Sequence, residues 1–594
     1  MTGGLIALTA VWCALFAAKW GRWGDVTVDS GREMYVPWQL LKGATLYRDV
    51  WYPYTPGAPY LNRALFQLFG VRLEVLYWAG ALAALICVVL LFLMGARMSN
   101  AIAGLTAGMV VLIEAFVPML FSYPLPYSFA AVYGSVAATA CLWACIESFR
   151  ALHPFRWILL AASCAAAAVL FKMELGAGCY AAVFIAALAQ FLRNPKLRTA
   201  GTAVLAVLPG VAACVATFWW MISLDGFNFI TQENFMSWPS SYFMKRYGPL
   251  WLRYTGFSTE PKFLLKMALA VVVTAGYFVL RPAITRYSTG SLQFVFAAAC
   301  LMAALLSLLF AGGNAHKLAE LILFPPAMPF AVLLGAALPL FAFFRARAIN
   351  GDLRTEYLGA VALSIGASMM ALRSLAGLDT IGYSIYDNGL VLLAFLLLLG
   401  SFQIRSSGVR RLRRADVVVY GMVFLAAVFS PLQAYFADNR TTPLWTDRGV
   451  IYLSQVKALR YGSAIAFMKE AARQGRVTLS IPEDAALYFL SGTDCPTRVY
   501  AFTPGAIVPG KMMAQTLSEI ERKRVQYLIW SNREFPEYGT RTFGVDFDVA
   551  IGEYFRSHYH PIGPVSDVGG SGNWNATIWE RNASENGAQA AKRD

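Results

Sequence analysis

Residues 29–70 read DSGREMYVPWQLLKGATLYRDVWYPYTPGAPYLNRALFQLFG. They follow the apolar run MTGGLIALTAVWCALFAAKW at 1–20, about the length needed to cross hydrocarbon. That run lacks a basic leader and a small-residue cleavage site, so it is expected to stay as a first span. Residues 29–70 are then part of the first loop of a membrane chain. The loop is dense in aromatics and carries Asp29, Glu33 and Asp49. Asp29 lies just beyond the span, which fixes its depth relative to the membrane. A partly desolvated carboxylate there can act as a general base on a hydroxyl. Glu33, four residues on, shares a helical face with it. REMYVPWQLLKG (32–43) is amphipathic and is expected to lie flat in the interface, with Trp38 at headgroup level. Tyr52 and Tyr54 fit either an interfacial belt or a surface for stacking on sugars.

The composition agrees with a membrane chain. Of 594 residues, 58% are hydrophobic and 14% charged, against about 25% charged in a soluble protein. About thirteen apolar runs are long enough to span: 4–23, 75–96, 101–120, 129–147, 157–171, 175–191, 202–224, 263–281, 292–311, 319–343, 357–373, 389–403 and 416–433. Alternate connections are basic, ending in RSSGVRRLRR at 405–414. The positive-inside rule puts these in the cytoplasm and the N-terminus with them. The arginine run then reads as an orientation signal and a contact for membrane lipids, with no nucleic-acid partner. The outer face receives the 24–74 loop, a second loop at 225–262 and everything after 433.

After the membrane domain (1–433) hydropathy falls. RVTLSI, RVYAF, VQYLIWS and NWNATIWER read as strands, and YGSAIAFMKEAARQG, EDAALYFLSG and MMAQTLSEIERKR as helices. Alternating strands and helices predict an extracytoplasmic α/β domain over 434–582, followed by a disordered tail at 583–594. The fold class is therefore mainly α, a polytopic helical membrane protein with a C-terminal α/β domain.

Three further patches carry charge at outer span ends. FKMELG (171–176) sets Lys172 and Glu174 there, either as snorkelling anchors or as ligands. In AGGNAHKLAELILFPPAMPFAVLL (311–334), His316 and Lys317 open a proline-interrupted span. ENFMSWPSSYFMKRYGPLWLRY (233–254) places Lys245 and Arg246 among aromatics on the side where basic residues are disfavoured. No Walker A loop, HExxH or CxxC is present, and eight of the nine cysteines sit in apolar runs. His558 and His560 in SHYHP read as two residues of one strand with a structural role. No spacing demands a metal or other cofactor, although Asp29 and Asp49 could share a divalent ion.

The Asp-x-Gly after the first span, then LLKGATLYRD, a proline-rich turn and LFQLFG, resembles the first extracytoplasmic loop of the GT-C membrane glycosyltransferases. It is most similar to the bacterial family 39 branch, also described as dolichyl-phosphate-mannose-protein mannosyltransferase-like or RgtA/B/C/D-like. By architecture the resemblance covers about the first 340 residues; by motif it covers this loop and a few later patches. It implies an inverting hexosyl- or pentosyltransferase at the outer face of a bacterial inner membrane. The implied donor is a polyprenyl-phosphate sugar, and the acceptor an envelope glycan, a glycolipid or a protein hydroxyl. It makes Asp29 the catalytic base. Ser30 stands where some members carry a second acidic residue, which leaves Glu33, Asp49 and Glu174 as candidates for the second carboxylate or an acceptor ligand. Lys172, His316, Lys317, Lys245, Arg246, Tyr52 and Tyr54 are the candidates for donor phosphate and sugar. A transporter or flippase is the competing class, and it predicts ionisable residues in mid-span and an inverted repeat. A non-catalytic envelope-assembly protein is the third.

Overall fold

The computed structural model describes residues 1–98, 100–236, 238–254, 268, 272, 332, 352–371, 383–407, 414–568 and 574–583. The helical part runs α1 (Thr2–Ala18), α2 (Ser30–Leu41), α3 (Gly57–Phe69), α4 (Leu73–Arg97), α5 (Ala101–Ala115), α6 (Phe129–Ser148), α7 (Pro154–Phe171), α8 (Met173–Arg193) and α9 (Leu197–Asp225). A π-turn (Phe229–Asn234) and the short α10 (Tyr242–Arg246) and α11 (Gly248–Tyr254) follow; α12 (Asp352–Ala371), α13 (Asn388–Ser407) and α14 (Arg414–Phe436) complete it. Among the described residues α4, α6, α7, α8 and α9 are long and apolar enough to cross a membrane. The chain is an integral membrane protein. The spans expected at 263–281, 292–311 and 319–343 lie outside the described residues, apart from single positions.

Small residues let the bundle close. Ala161, Ala162, Ala165 and Ala168 form a fully buried stripe on α7, the kind of surface that brings helices together where water supplies no driving force. A single extended residue, Lys172, separates α7 from α8 (φ −156°, ψ 113°), so 157–191 is two helices with a sharp break. Arg97, ending α4, pairs with Glu147 near the end of α6 at 2.9 Å. This contact marks the bundle end opposite the first loop.

The C-terminal domain begins with a hairpin, β1 (Thr442–Thr446) and β2 (Gly449–Leu453), and α15 (Gln455–Arg473). Then come β3 (Val477–Ile481), α16 (Ala485–Ser491), α17 (Lys511–Arg522), β4 (Val525–Ser531), α18 (Val549–His558), β5 (Tyr559–Pro564) and β6 (Ala576–Arg581). The sheet order is β3-β4-β6-β5, with β3 and β4 parallel and the other neighbours antiparallel. Two local expectations fail. RVYAF (498–502) joins no sheet; Arg498 O accepts from Trp51 N at 3.1 Å, and Phe502 N donates to Pro482 O at 2.6 Å. SHYHP is not one strand. His558 ends α18 and stacks on Tyr554 with ring centroids 4.3 Å apart, while His560 lies in β5 and bonds Asn582.

The domain grips the first loop from above. Tyr452 N donates to Gly21 O and Leu73 N to Arg448 O, each at 2.8 Å. Lys457 pairs with Asp25 at 2.8 Å, and Tyr461 Oη donates to Val26 O at 3.0 Å. Helix α2 does not lie in the interface as its amphipathicity suggests. Ser30 to Trp38 are all buried, and Trp38 meets Phe489 of α16 edge-on at 6.0 Å. The apolar face of α2 covers protein, not lipid. Gly31 permits the approach, since a Cβ there would sit 2.4 Å from Ala486 N.

Candidate active site

Asp29 precedes the first turn of α2, beside the connection that leads into α6. Ser30 Oγ fixes this turn by donating to Pro126 O at 3.2 Å. Arg32 then organises the carboxylates. Its Nη1 holds Asp29 Oδ1 at 2.8 Å, its Nε holds Glu33 Oε1 at 3.0 Å, and its Nη2 donates to Tyr127 O at 2.5 Å. Glu33 Oε2 accepts from Phe129 N at 2.8 Å. Burial pushes the Glu33 carboxyl up, against the pull of Arg32. The Asp29 side chain keeps 23% exposure where that of Glu33 keeps 2%. Of the two, Asp29 is the one a substrate can reach. Among the described residues its Oδ2 takes no hydrogen bond.

Asp29 opens on a cavity with three walls. The first loop gives Val28, Arg32, Trp51, Pro53 and Tyr54, with Tyr127 from the turn before α6. The second loop gives Met236, Phe243 and Trp251. The C-terminal domain gives Glu483, Ala485, Tyr500, Ala501, Thr503 and Tyr538. Lys172 lies behind the first wall. Its Nζ donates to Tyr127 Oη at 2.6 Å, sits 5.4 Å from the centre of the Tyr54 ring, and is 3.6 Å from Glu174. Arg32 stacks over the same Tyr54 ring at 5.0 Å. Burial raises the Tyr54 phenol to about 12, with Arg32 opposing the rise.

The other candidates fall in different places. Tyr52 is buried against Tyr54, ring centroids 5.8 Å apart, and does not line the cavity. Asp49 is exposed and closes its own turn, accepting from Thr45 N at 2.8 Å, and it is not among the residues that line the cavity with Asp29. Lys245 and Arg246 are exposed in the last turn of α10, while Phe243 of the same helix faces the cavity. His316 and Lys317 lie outside the described residues. Among the described residues no group of three or more His, Cys, Asp or Glu is placed to hold a metal ion.

Sequence reasoning missed Glu483 and Tyr500. Glu483 lies just after β3, and its Oε2 accepts from Arg533 Nε at 3.0 Å; the same guanidinium holds Glu537 at 2.5 Å. Burial pushes Glu483 up, Arg533 opposes this, and the nearby charge of Asp29 adds to it. The available signal was the acidic pair at the head of EDAALYFLSG, where a strand hands over to a helix.

No protein-family model matches the chain, and no curated protein matches it. Some solved structures are similar to the chain along most of its length. ArnT from Cupriavidus metallidurans bound to undecaprenyl phosphate is 13% identical with a TM-score of 0.45, covering 98% of this chain and 99% of that one. The archaeal oligosaccharyltransferase AglB from Archaeoglobus fulgidus, in complex with an inhibitory peptide and a dolichol-phosphate, is 11% identical with a TM-score of 0.42. That match covers 89% of this chain and 69% of the other.

Proposed function

We propose that this chain is a GT-C-type inverting glycosyltransferase that moves a monosaccharide from a polyprenyl-phosphate donor to an acceptor hydroxyl at the outer membrane surface. One observation carries the reading. The reachable carboxylate Asp29 opens on an aromatic-lined cavity at the ends of the membrane helices, roofed by the C-terminal domain. A cavity at helix ends suits a lipid-linked phosphate, and aromatic faces suit a sugar.

In this mechanism Asp29 Oδ2 takes the proton of the acceptor hydroxyl while Arg32 fixes Oδ1. The acceptor oxygen attacks the anomeric carbon opposite the lipid phosphate. The bond to the phosphate oxygen breaks, and the phosphate leaves as an anion. It needs no proton, so one base suffices where a glycosidase needs an acid as well. Lys172, with His316 and Lys317, is the proposed cation set for the departing charge. The exposed Lys245 and Arg246 are left to outer headgroups or incoming substrate. Glu33 supports Arg32 and is not a second base.

The test is transfer of labelled sugar from a panel of polyprenyl-phosphate monosaccharides to envelope acceptors, in membranes with and without the protein. Transfer that depends on the protein supports the reading. A transporter has one observation in its favour, the buried Glu114, which accepts from Asn388 Nδ2 at 3.2 Å inside the helical part. It predicts movement of substrate across sealed vesicles without product formation.

A further inference from the structure

The wall opposite the membrane has a chemistry that the first loop lacks. Glu483 has one oxygen fixed by Arg533, and among the described residues Oε1 takes no hydrogen bond. Its side chain keeps 8% exposure, and the residue lines the cavity. Tyr500 lines the same wall with 1% exposure, and its phenol oxygen is buried without a hydrogen-bond partner. A buried polar group left unpaired is costly. The Tyr500 phenol is such a group, and a ligand that pairs with it and with the open Oε1 of Glu483 would satisfy this part of the cavity. The rings of Tyr500, Trp51, Tyr54 and Trp251 supply flat apolar faces around them.

We infer that Glu483 and Tyr500 form the acceptor subsite, and that the acceptor is a saccharide presenting more than one hydroxyl. This rests on the glycosyl-transfer reading above. A carboxyl group pairs with hydroxyls as acceptor and, where it keeps its proton, also as donor. Arg533 is already taken up by Glu483 and Glu537, and none of the residues the C-terminal domain gives to the cavity is cationic, so this wall has no cation to offer the phosphate of the donor. A serine or threonine acceptor brings one hydroxyl and would leave Glu483 or Tyr500 unpaired, whereas a sugar diol satisfies both. Asp29 lines the same cavity, so a further hydroxyl of the same sugar can meet the base. The C-terminal domain thus selects the acceptor, and the first loop performs the chemistry.

The experiment is equilibrium binding to the purified full chain in detergent. The probes are reducing-end-labelled envelope oligosaccharides and, separately, a threonine-containing peptide, read by quenching of cavity tryptophans. Wild type is expected to bind a saccharide and not the peptide. Glu483→Gln and Tyr500→Phe, both near-isosteric, should each weaken binding about 10- to 100-fold, with an unchanged melting temperature. Asp49→Asn, in an exposed turn that does not line the cavity, should bind the saccharide as wild type does. Equal binding by the variants overturns the inference, as does peptide binding in place of saccharide, or no saccharide binding by wild type. In a parallel transfer assay the two variants should raise the acceptor KM and leave the donor KM alone. A chain that binds saccharide through Glu483 yet transfers no sugar would overturn the glycosyltransferase reading and keep the subsite.

Discussion

Arg32 Nη1 stands 2.8 Å from Asp29 Oδ1, and the same guanidinium also grips Glu33 and the Tyr127 carbonyl. One side chain therefore ties the reachable carboxylate to its own helix and to the turn that begins α6. Arg32→Lys keeps the charge and loses the planar fork. Misplacing a reacting group by about 1 Å costs up to roughly 100-fold. The turnover of Arg32→Lys should fall about 10- to 100-fold with the donor KM little changed. Wild-type turnover would show that Asp29 needs no such anchor.

The seat of α2 under the C-terminal domain is tested at Gly31. A methyl group there would meet backbone, Ala486 N at 2.4 Å and Ala485 C at 3.1 Å, which cannot swing aside. Gly31→Ala should destabilise by about 1–3 kcal/mol and depress transfer. Gly3→Ala, with nothing within 4 Å, is the control. Thermal unfolding of both variants in detergent checks this. Equal melting temperatures would mean that the two elements separate freely.

Asp484 gives the domain a pH signature. Burial pushes its carboxyl up from 3.8 to about 7, although Trp574 Nε1 donates to Oδ1 at 2.8 Å. The folded chain therefore keeps a proton that the unfolded chain releases. This contribution is fully present below about pH 4, fades as pH rises toward about 7, and is flat above. Asp484→Asn should remove that slope from the melting temperature of the full chain between those limits. A slope unchanged in the variant would assign it to other groups.

Arg498 fastens the second loop to the site. It donates to Tyr47 O and Asn234 Oδ1, both at 2.8 Å, and pairs with Glu233 at 3.4 Å, from a nearly buried position. Arg498→Met should cost about 1–3 kcal/mol through the acceptors left unpaired. It should also speed proteolysis near residues 226–241. Protection equal to wild type would contradict this fastening.

Part of this was legible in the sequence. Apolar length marked the membrane helices, and the drop in hydropathy after 433 marked the change to a soluble fold. Asp29 was marked by its distance from the first span. The partners of α2 were hidden, because amphipathicity reports an apolar face and not what covers it. Lipid and α16 satisfy Trp38 equally well in one dimension. RVYAF reads as a strand because valine and the aromatics favour extended chain, yet its neighbour in space is Trp51, over four hundred residues earlier. Tyr500 and Glu483 escaped for the same reason. Each belongs to the site through a contact that no local spacing encodes.

The most direct test of the central claim is transfer of a labelled sugar from a polyprenyl-phosphate donor by wild type, Asp29→Asn and Asp49→Asn, with fold and donor binding measured in parallel. A positioned general base contributes about 10²- to 10⁴-fold. Asp29→Asn should lose activity on that scale while its melting temperature and donor affinity hold, and Asp49→Asn, in its exposed turn, should transfer as wild type does. Full activity in a folded, donor-binding Asp29→Asn protein would contradict the account.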